Sequence, residues 1–84
     1  LKSNPMVKEL YLNIGYIYIL KKEYIVAETY FKKALSLDPD YVLAYENLVL
    51  LSRMQNKELD LISYINNILE IAPEHNFKNH LLDE

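Results

Sequence analysis

Apolar residues recur at every third or fourth position along most of this chain, which is the spacing of one face of an α-helix. The first such stripe contains Val7, Leu10, Tyr11, Ile14 and Tyr18. Three further stripes and a shorter last one follow it. The pattern predicts four helices and a short fifth one, at about residues 6–20, 24–37, 40–54, 58–71 and 73–84.

The third predicted helix is apolar on nearly every side, which indicates burial against more than one neighbour. A single glycine and the lack of alternating Val/Thr-rich runs disfavour β-hairpins, so the sequence predicts an all-α fold. The residues expected to point inward elsewhere are Tyr24, Ala27, Phe31, Ala34 and Leu35 in the second helix, Leu59, Ile62, Ile65, Ile68 and Leu69 in the fourth, and Phe77, Leu81 and Leu82 in the fifth.

Pro5, Pro39 and Pro73 stand 34 residues apart, which is a period typical of stacked helical hairpins. Shifting the chain by that period also pairs Tyr11 with Tyr45 and Tyr30 with Tyr64. Short connections make sequential helices pack antiparallel, and a fixed repeat length stacks the hairpins into a superhelix.

The residues at these positions resemble the tetratricopeptide repeat family. The resemblance rests on Tyr11, Ile14-Gly15, Tyr18, Tyr24, Ala27, Phe31 and the run Ala34-Leu35-Ser36-Leu37-Asp38-Pro39. It implies a right-handed α-solenoid of antiparallel helix hairpins with about five helices. The whole chain, residues 1–84, is then one domain, and we expect it to be a piece of a longer protein. Its expected parts are one repeat at about 8–41, a second at about 42–75, and a partial third repeat or capping helix at 76–84.

The second repeat departs from the pattern of the first. Val49 stands where Gly15 stands, Leu61 where Ala27 stands, and Ser52 where Tyr18 stands. Larger side chains at the crossing point predict that the second hairpin is splayed or shifted relative to the first.

The chain has 84 residues, no cysteine and a formal net charge of −3. A disulfide framework or thiolate metal site is therefore excluded, and no basic stripe for a nucleic-acid backbone is present. Pentatricopeptide repeats, which read RNA, have a longer unit and a more basic balance, so they are disfavoured. No apolar run is long enough to span a membrane and no signal pattern begins the chain. We expect a soluble, cytoplasmic protein without a membrane partner.

Sequence motifs for catalysis or cofactor binding are absent, so we expect a scaffold rather than an enzyme, with no cofactor. His75 and His80 are five residues apart, which is not the spacing of a helical metal site. We therefore expect no metal either.

In the resembled family the first helix of each hairpin lines a concave surface that binds a partner. Apolar residues dominate the corresponding positions here, which favours an apolar peptide or an amphipathic helix as the partner. Three alternatives stay open. The chain could have a structural or self-association role, such as a homodimer, or a cap or further repeats could cover these residues within the protein. It could also be an accessory domain of a larger enzyme or secretion machine. The expected concave set is Glu9, Leu12, Asn13, Tyr16, Ile19, Leu20, Leu43, Glu46, Asn47, Leu50, Arg53, Met54, Phe77 and His80.

One subset of the family grips acidic C-terminal tails of chaperones through lysine, asparagine and arginine side chains. Asn13 and Asn47 match the asparagine-type position. The positions that should supply the lysines and the second asparagine hold Leu12, Tyr16 and Phe77, and Leu81 replaces the arginine. Without cations to pair the carboxylates, tail binding of this kind is not expected. Among the eight tyrosines, Tyr16 and Tyr41 are the ones expected to contact a ligand.

Overall fold

A computed structural model describes residues 5–74, and this part of the chain is helical with short turns. The four helices are α1 (Pro5–Leu20), α2 (Tyr24–Leu37), α3 (Val42–Met54) and α4 (Glu58–Ile71). The predicted all-α fold is confirmed. The predicted fifth helix lies outside the described residues. Helix α3 begins two residues later than predicted, because Asp38 and Tyr41 close a turn through a backbone hydrogen bond from Tyr41 N to Asp38 O of 3.0 Å.

The four helices form a helical solenoid of two antiparallel hairpins, α1–α2 and α3–α4, which pack on each other through α2 and α3. The backbones of α1 and α3 also approach each other, whereas those of α2 and α4 do not come equally close. Because the first helices of the two hairpins stand closer together than the second helices, the stack curves toward the side of α1 and α3. That side is therefore the concave one.

The core joins both hairpins. One cluster of buried side chains draws on α1, α2 and α3, and a smaller one lies at the junction of α2 and α3. Partly buried aromatic and aliphatic side chains from both hairpins surround them. The buried members are Ile19, Ala27, Phe31, Leu48 and Leu51 in the larger cluster, and Ala34, Tyr41 and Ala44 in the smaller one.

Two tyrosine pairs show that the hairpins are copies of one another. The rings of Tyr11 and Tyr30 lie 6.0 Å apart at an interplanar angle of 43°. Their counterparts one period later, Tyr45 and Tyr64, lie 6.2 Å apart at 44°. The sequence period is therefore also a structural period.

The turns inside the hairpins repeat in the same way. Lys22 and Asn56, which are one period apart, both have left-handed backbones with φ of 63° and 58°. The amide that follows each donates back across five residues, Glu23 N to Tyr18 O and Lys57 N to Ser52 O, both at 2.9 Å. A helix ended by a left-handed residue with such a bond satisfies carbonyls that would otherwise lack partners.

Several apolar residues that the stripes placed inward are exposed. Leu10 is 56% exposed, and Leu59, Ile62 and Leu69 on α4 are also exposed. These expectations were wrong for residues 5–74, since α1 and α4 stand at the two ends of the described stack and each has a neighbour on one side only. The helical period identifies an apolar face but does not show whether a neighbour covers it.

Helices α1 and α2 approach each other closely at Gly15. A Cβ added there would lie 2.5 Å from Cε1 of Phe31, whose ring is fully buried. The predicted role of Gly15 as a crossing point follows from that contact. In the second hairpin the corresponding Val49 is buried, and the smaller Ile65 replaces Phe31. Helices α3 and α4 contact each other less extensively than α1 and α2 do.

We expect Lys22→Gly to raise the free energy of unfolding by about 0.5–1 kcal/mol, because a side chain with a Cβ is strained in the left-handed region and glycine is not. Urea denaturation measures the change. Lys21→Gly is the matched control: Lys21 N donates to Ile17 O in helical fashion, so glycine there should destabilise. Stabilisation by both variants, or by neither, would contradict the explanation.

We expect Gly15→Ala to destabilise the protein by about 1–3 kcal/mol, since the new methyl group overlaps a ring that has no free space to move into. Helix propensity alone would raise the free energy of unfolding by about 1 kcal/mol. The sign of the measured change therefore shows whether helix propensity or the overlap with the ring is the larger effect. Thermal denaturation followed by circular dichroism provides the readout. Asn13→Ala, at an exposed position of the same helix, should be neutral or slightly stabilising.

Candidate partner-binding surface

Eight residues on the concave side of α1 and α3 form one surface, which we call the inner face. The four on α1 follow the helical spacing of one stripe, and the four on α3 are their counterparts one period later. Most of them are exposed, and Asn47 is half-buried. The inner face consists of Glu9, Asn13, Tyr16 and Leu20 on α1, and Leu43, Asn47, Leu50 and Met54 on α3.

Apolar side chains dominate the inner face. Tyr16, Leu20, Leu43, Leu50 and Met54 are between 38% and 65% exposed. Exposed large apolar groups scattered singly are ordinary on a protein surface, but a contiguous group on adjacent helices marks a binding surface or a covered one. All five belong to the concave set expected from the sequence, and their contact with a partner stays a prediction.

The polar members of the inner face are few and none carries a positive charge. Glu9 is the one ionisable carboxylate among the eight, and Asn47 donates its side-chain amide to Leu43 O at 2.9 Å. Part of the hydrogen-bonding capacity of Asn47 is thus already used within its own helix. None of the eight side chains is a cation that could pair with a carboxylate of an acidic tail, and the exclusion of such a tail as the partner stays a prediction.

One residue expected on the concave surface lies in the interior. Ile19 is only 4% exposed and belongs to the larger core cluster, so its assignment to a partner-binding surface is wrong. Leu12 is half-buried and packs against both clusters, so it leaves only part of its side chain for a partner. At the C-terminal end of α1, Leu20, which directly follows Ile19, is the exposed one of the two.

The remaining expected residues stand at the edge of the inner face or beyond the described part. Glu46 and Arg53 on α3 are the counterparts of Leu12 and Ile19. Glu46 is half-buried, Arg53 is exposed, and both interact with neighbouring groups. Phe77 and His80 lie outside the described residues.

An ion pair fixes the junction beside the inner face. The Lys8 ammonium donates a hydrogen bond to Oδ2 of Asp38, and the same Nζ lies 4.5 Å from the centre of the Tyr41 ring. The hydrogen bond lowers the pKa of Asp38 and raises that of Lys8. Tyr41 itself is buried in the smaller core cluster, and burial raises the pKa of its phenol. The expectation that Tyr41 contacts a ligand is therefore wrong.

The described residues contain neither a candidate metal cluster nor a membrane-spanning helix. No group of three or more His, Asp or Glu side chains there could hold a metal ion. Among residues 5–74, no helix combines the length and apolar character that crossing a bilayer requires. The inner face offers apolar contact area with a small polar margin.

One exposed surface was missed by the sequence analysis. On the side of α1 that faces away from α3, Leu10 and Ile17 are 56% and 52% exposed. The signal that could have found them is the repeat itself, because their counterparts Ala44 and Leu51 are core residues in α3.

Comparisons with known proteins agree with the helical-repeat fold. Residues 8–41 match the family model of the tetratricopeptide repeat. The chain is 28% identical over 75 residues to the protein O-mannosyl-transferase Tmtc3 of Drosophila melanogaster, covering 89% of this chain and 8% of that protein. It is 32% identical over 66 residues to the uncharacterized protein ycf37 of Cyanophora paradoxa, covering 79% of this chain and 38% of that one.

A third relative is the human protein O-mannosyl-transferase TMTC1, which is 37% identical over 54 residues, or 64% of this chain and 6% of the relative. The chain thus spans much less than two thirds of the length of these relatives. No solved structure matches it.

We expect Asp38→Asn to lower the free energy of unfolding at pH 7, because it removes the partner of Lys8 while leaving an oxygen for the bond from Asp40 N. The pKa of Asp38 in the folded protein lies below its usual value of about 3.9, so the stabilisation is present above that pH and is lost as the pH falls through the folded value.

The difference in the free energy of unfolding between the parent chain and Asp38→Asn should therefore shrink as the pH falls. Urea denaturation at a series of values from about pH 7 to about pH 2 measures it. Asp40→Asn, two residues along and exposed, is the matched control and should show little difference. If the loss of unfolding free energy in Asp38→Asn stays constant into strong acid, the ion pair is not the cause of that loss.

Proposed function

Because residues 8–41 match the family model of the tetratricopeptide repeat, we propose that the chain is a non-catalytic protein-binding module whose inner face receives an apolar peptide or an amphipathic helix. Repeats of this family generally mediate contacts between proteins and are typically scaffolds rather than catalysts. The observation that carries the proposal is the inner face itself. Five of its eight residues are apolar and exposed, and they lie on the concave side of the stack.

The form of the surface favours a rod-like partner. Two neighbouring helices present parallel exposed stripes, Tyr16 with Leu20 on α1 and Leu43 with Leu50 and Met54 on α3. An amphipathic helix presents a matching apolar stripe with anchors three and four residues apart, as in other helix-in-groove complexes. Tyr16 supplies a large ring that is ordered at low entropic cost.

Charge adds a preference to this shape. The chain carries a net charge of −3, and the inner face contains Glu9 and no cationic side chain. A partner whose polar flanks are basic would be attracted, whereas an acidic one would be repelled. We therefore propose a basic amphipathic segment as the preferred class.

Pre-organisation supports useful affinity from a small surface. Helices α1 and α3 are held by core side chains behind the inner face, including Ile19 and Leu48. The module thus loses little conformational freedom when it binds, and the ordering cost falls on the partner. We also propose that residues 42–75 are a second repeat and that 76–84 belong to a third repeat or a cap.

A direct test uses a phage-displayed library of random peptides selected on the 84-residue chain. Selected peptides are then titrated by fluorescence polarisation. We expect apolar residues at helical spacing to be enriched, and Leu50→Lys to weaken binding at least about tenfold, because one buried anchor is worth about 1.4 kcal/mol or more.

Ile25→Lys is the matched control for this test. Ile25 is also exposed and apolar, but it lies on α2, away from the inner face. It should bind the selected peptides like the parent chain. Peptides without an apolar stripe, or equal loss of binding in both variants, would count against the inner face as the binding site.

A further inference from the structure

The two ends of the stack each present an apolar face at positions that are buried one period away. On α1 these are Leu10, Ile14 and Ile17, which we call the leading face. Leu10 and Ile17 are 56% and 52% exposed, whereas their counterparts Ala44 and Leu51 are 0% and 2% exposed. The counterpart of Ile14, Leu48, is buried as well. In α3 these residues pack against α2, so the leading face has the composition of a surface that receives a preceding second helix.

The opposite end presents the complementary surface. On α4, Ile62, Ile65 and Leu69 form what we call the trailing face. Ile62 is 53% exposed and Leu69 is also exposed. Of their counterparts on α2, Phe31 is a core residue that clusters with Leu48 and Leu51 of α3, and Leu35 is partly buried against both clusters. The third counterpart is Glu28, so α4 is more apolar than α2 at the position where a following helix would pack.

We propose that the leading face of one copy of this chain docks on the trailing face of a second copy, so that copies stack head to tail. The contact would reproduce the α2–α3 junction within the chain, since each proposed face is the one-period counterpart of one side of that junction. It continues an interface whose geometry this sequence already forms. It uses neither Tyr16 nor Leu50 and is therefore independent of the proposed function.

The positions that would meet at the proposed contact are apolar on both sides. Leu10, Ile14 and Ile17 of one copy would face Ile62, Ile65 and Leu69 of the other, whereas the corresponding junction within the chain includes Glu28 beside Leu48 and Leu51. No like charges therefore oppose one another at these six positions, which permits a second copy of the chain as the occupant.

Such a contact is heterologous, meaning that it joins two different surfaces and leaves one of each free at the ends. Growth is then open-ended and does not stop at two copies. This feature distinguishes it from pairing through the inner face, which would be isologous and would stop at a dimer.

Sedimentation velocity of the 84-residue chain from roughly 10 µM to 1 mM tests the proposal. We expect the weight-average mass to rise past twice the 10.0 kDa of the monomer. Ile17→Lys removes the leading face and Ile62→Lys removes the trailing face. Each variant alone should remain a monomer, because it lacks one of the two required surfaces.

An equimolar mixture of Ile17→Lys and Ile62→Lys should form a 1:1 dimer and grow no further, since only one intact face of each kind remains. Both sites are more than half exposed, so circular dichroism should show the parent helix content. Tyr16→Lys is the matched control and should associate like the parent chain. It should lose peptide binding, which separates failure of this proposal from failure of the proposed function.

Three outcomes would overturn the proposal. A strictly monomeric parent chain would show that the faces are covered otherwise, for example by residues 75–84 on α4. Association that ends at a dimer would indicate isologous pairing. Two monomeric variants that do not combine when mixed would show that the leading and trailing faces are not complementary.

Discussion

The fold depends on one ring, that of Phe31, which occupies the place where three helices meet. On one side it lies against Gly15, where even a Cβ would overlap it, and on the other it shares a core cluster with Leu48 and Leu51. The first contact closes the hairpin α1–α2, and the second joins that hairpin to α3. Because the same side chain takes part in both, the two hairpins form one cooperative core. The curvature that exposes the inner face follows from this packing.

The second hairpin achieves the same crossing with different side chains. Val49 and Ile65 replace Gly15 and Phe31, so volume moves from one helix to the other. In the first hairpin the rings of Tyr18 and Tyr30 stack with their centres 5.8 Å apart. The second hairpin cannot form this pair because Ser52 replaces Tyr18. Less extensive contact between α3 and α4 agrees with these changes. It also fits a family match that covers residues 8–41.

Most of the fold follows from the sequence, because two local signals agree. The helical period gives the elements to within two residues at the observed ends, and the 34-residue spacing gives their stacking. The candidate site was predicted less well, because adjacent residues on a helix lie 100° apart and a small rotation separates core from surface. That is why Ile19 is buried and Leu20 is exposed. Tyr41 was misassigned for another reason: Tyr11 and Leu12 of α1, which are distant in the sequence, pack against its cluster, and no local pattern contains such contacts.

The inner face and the two end faces are coupled by the geometry of the stack. Each added hairpin lengthens the concave surface by one stripe, as Leu43, Leu50 and Met54 of α3 extend Tyr16 and Leu20 of α1. If copies stack in the same register, their inner faces become continuous, and a partner long enough to span the join would bind two copies at once. Binding of that kind favours stacking, and stacking favours binding by the same factor, because linkage is reciprocal. A short peptide that occupies one inner face makes no contact across the join and leaves the association unchanged. The length of the partner, rather than its affinity for a single copy, would then determine whether binding and stacking are coupled.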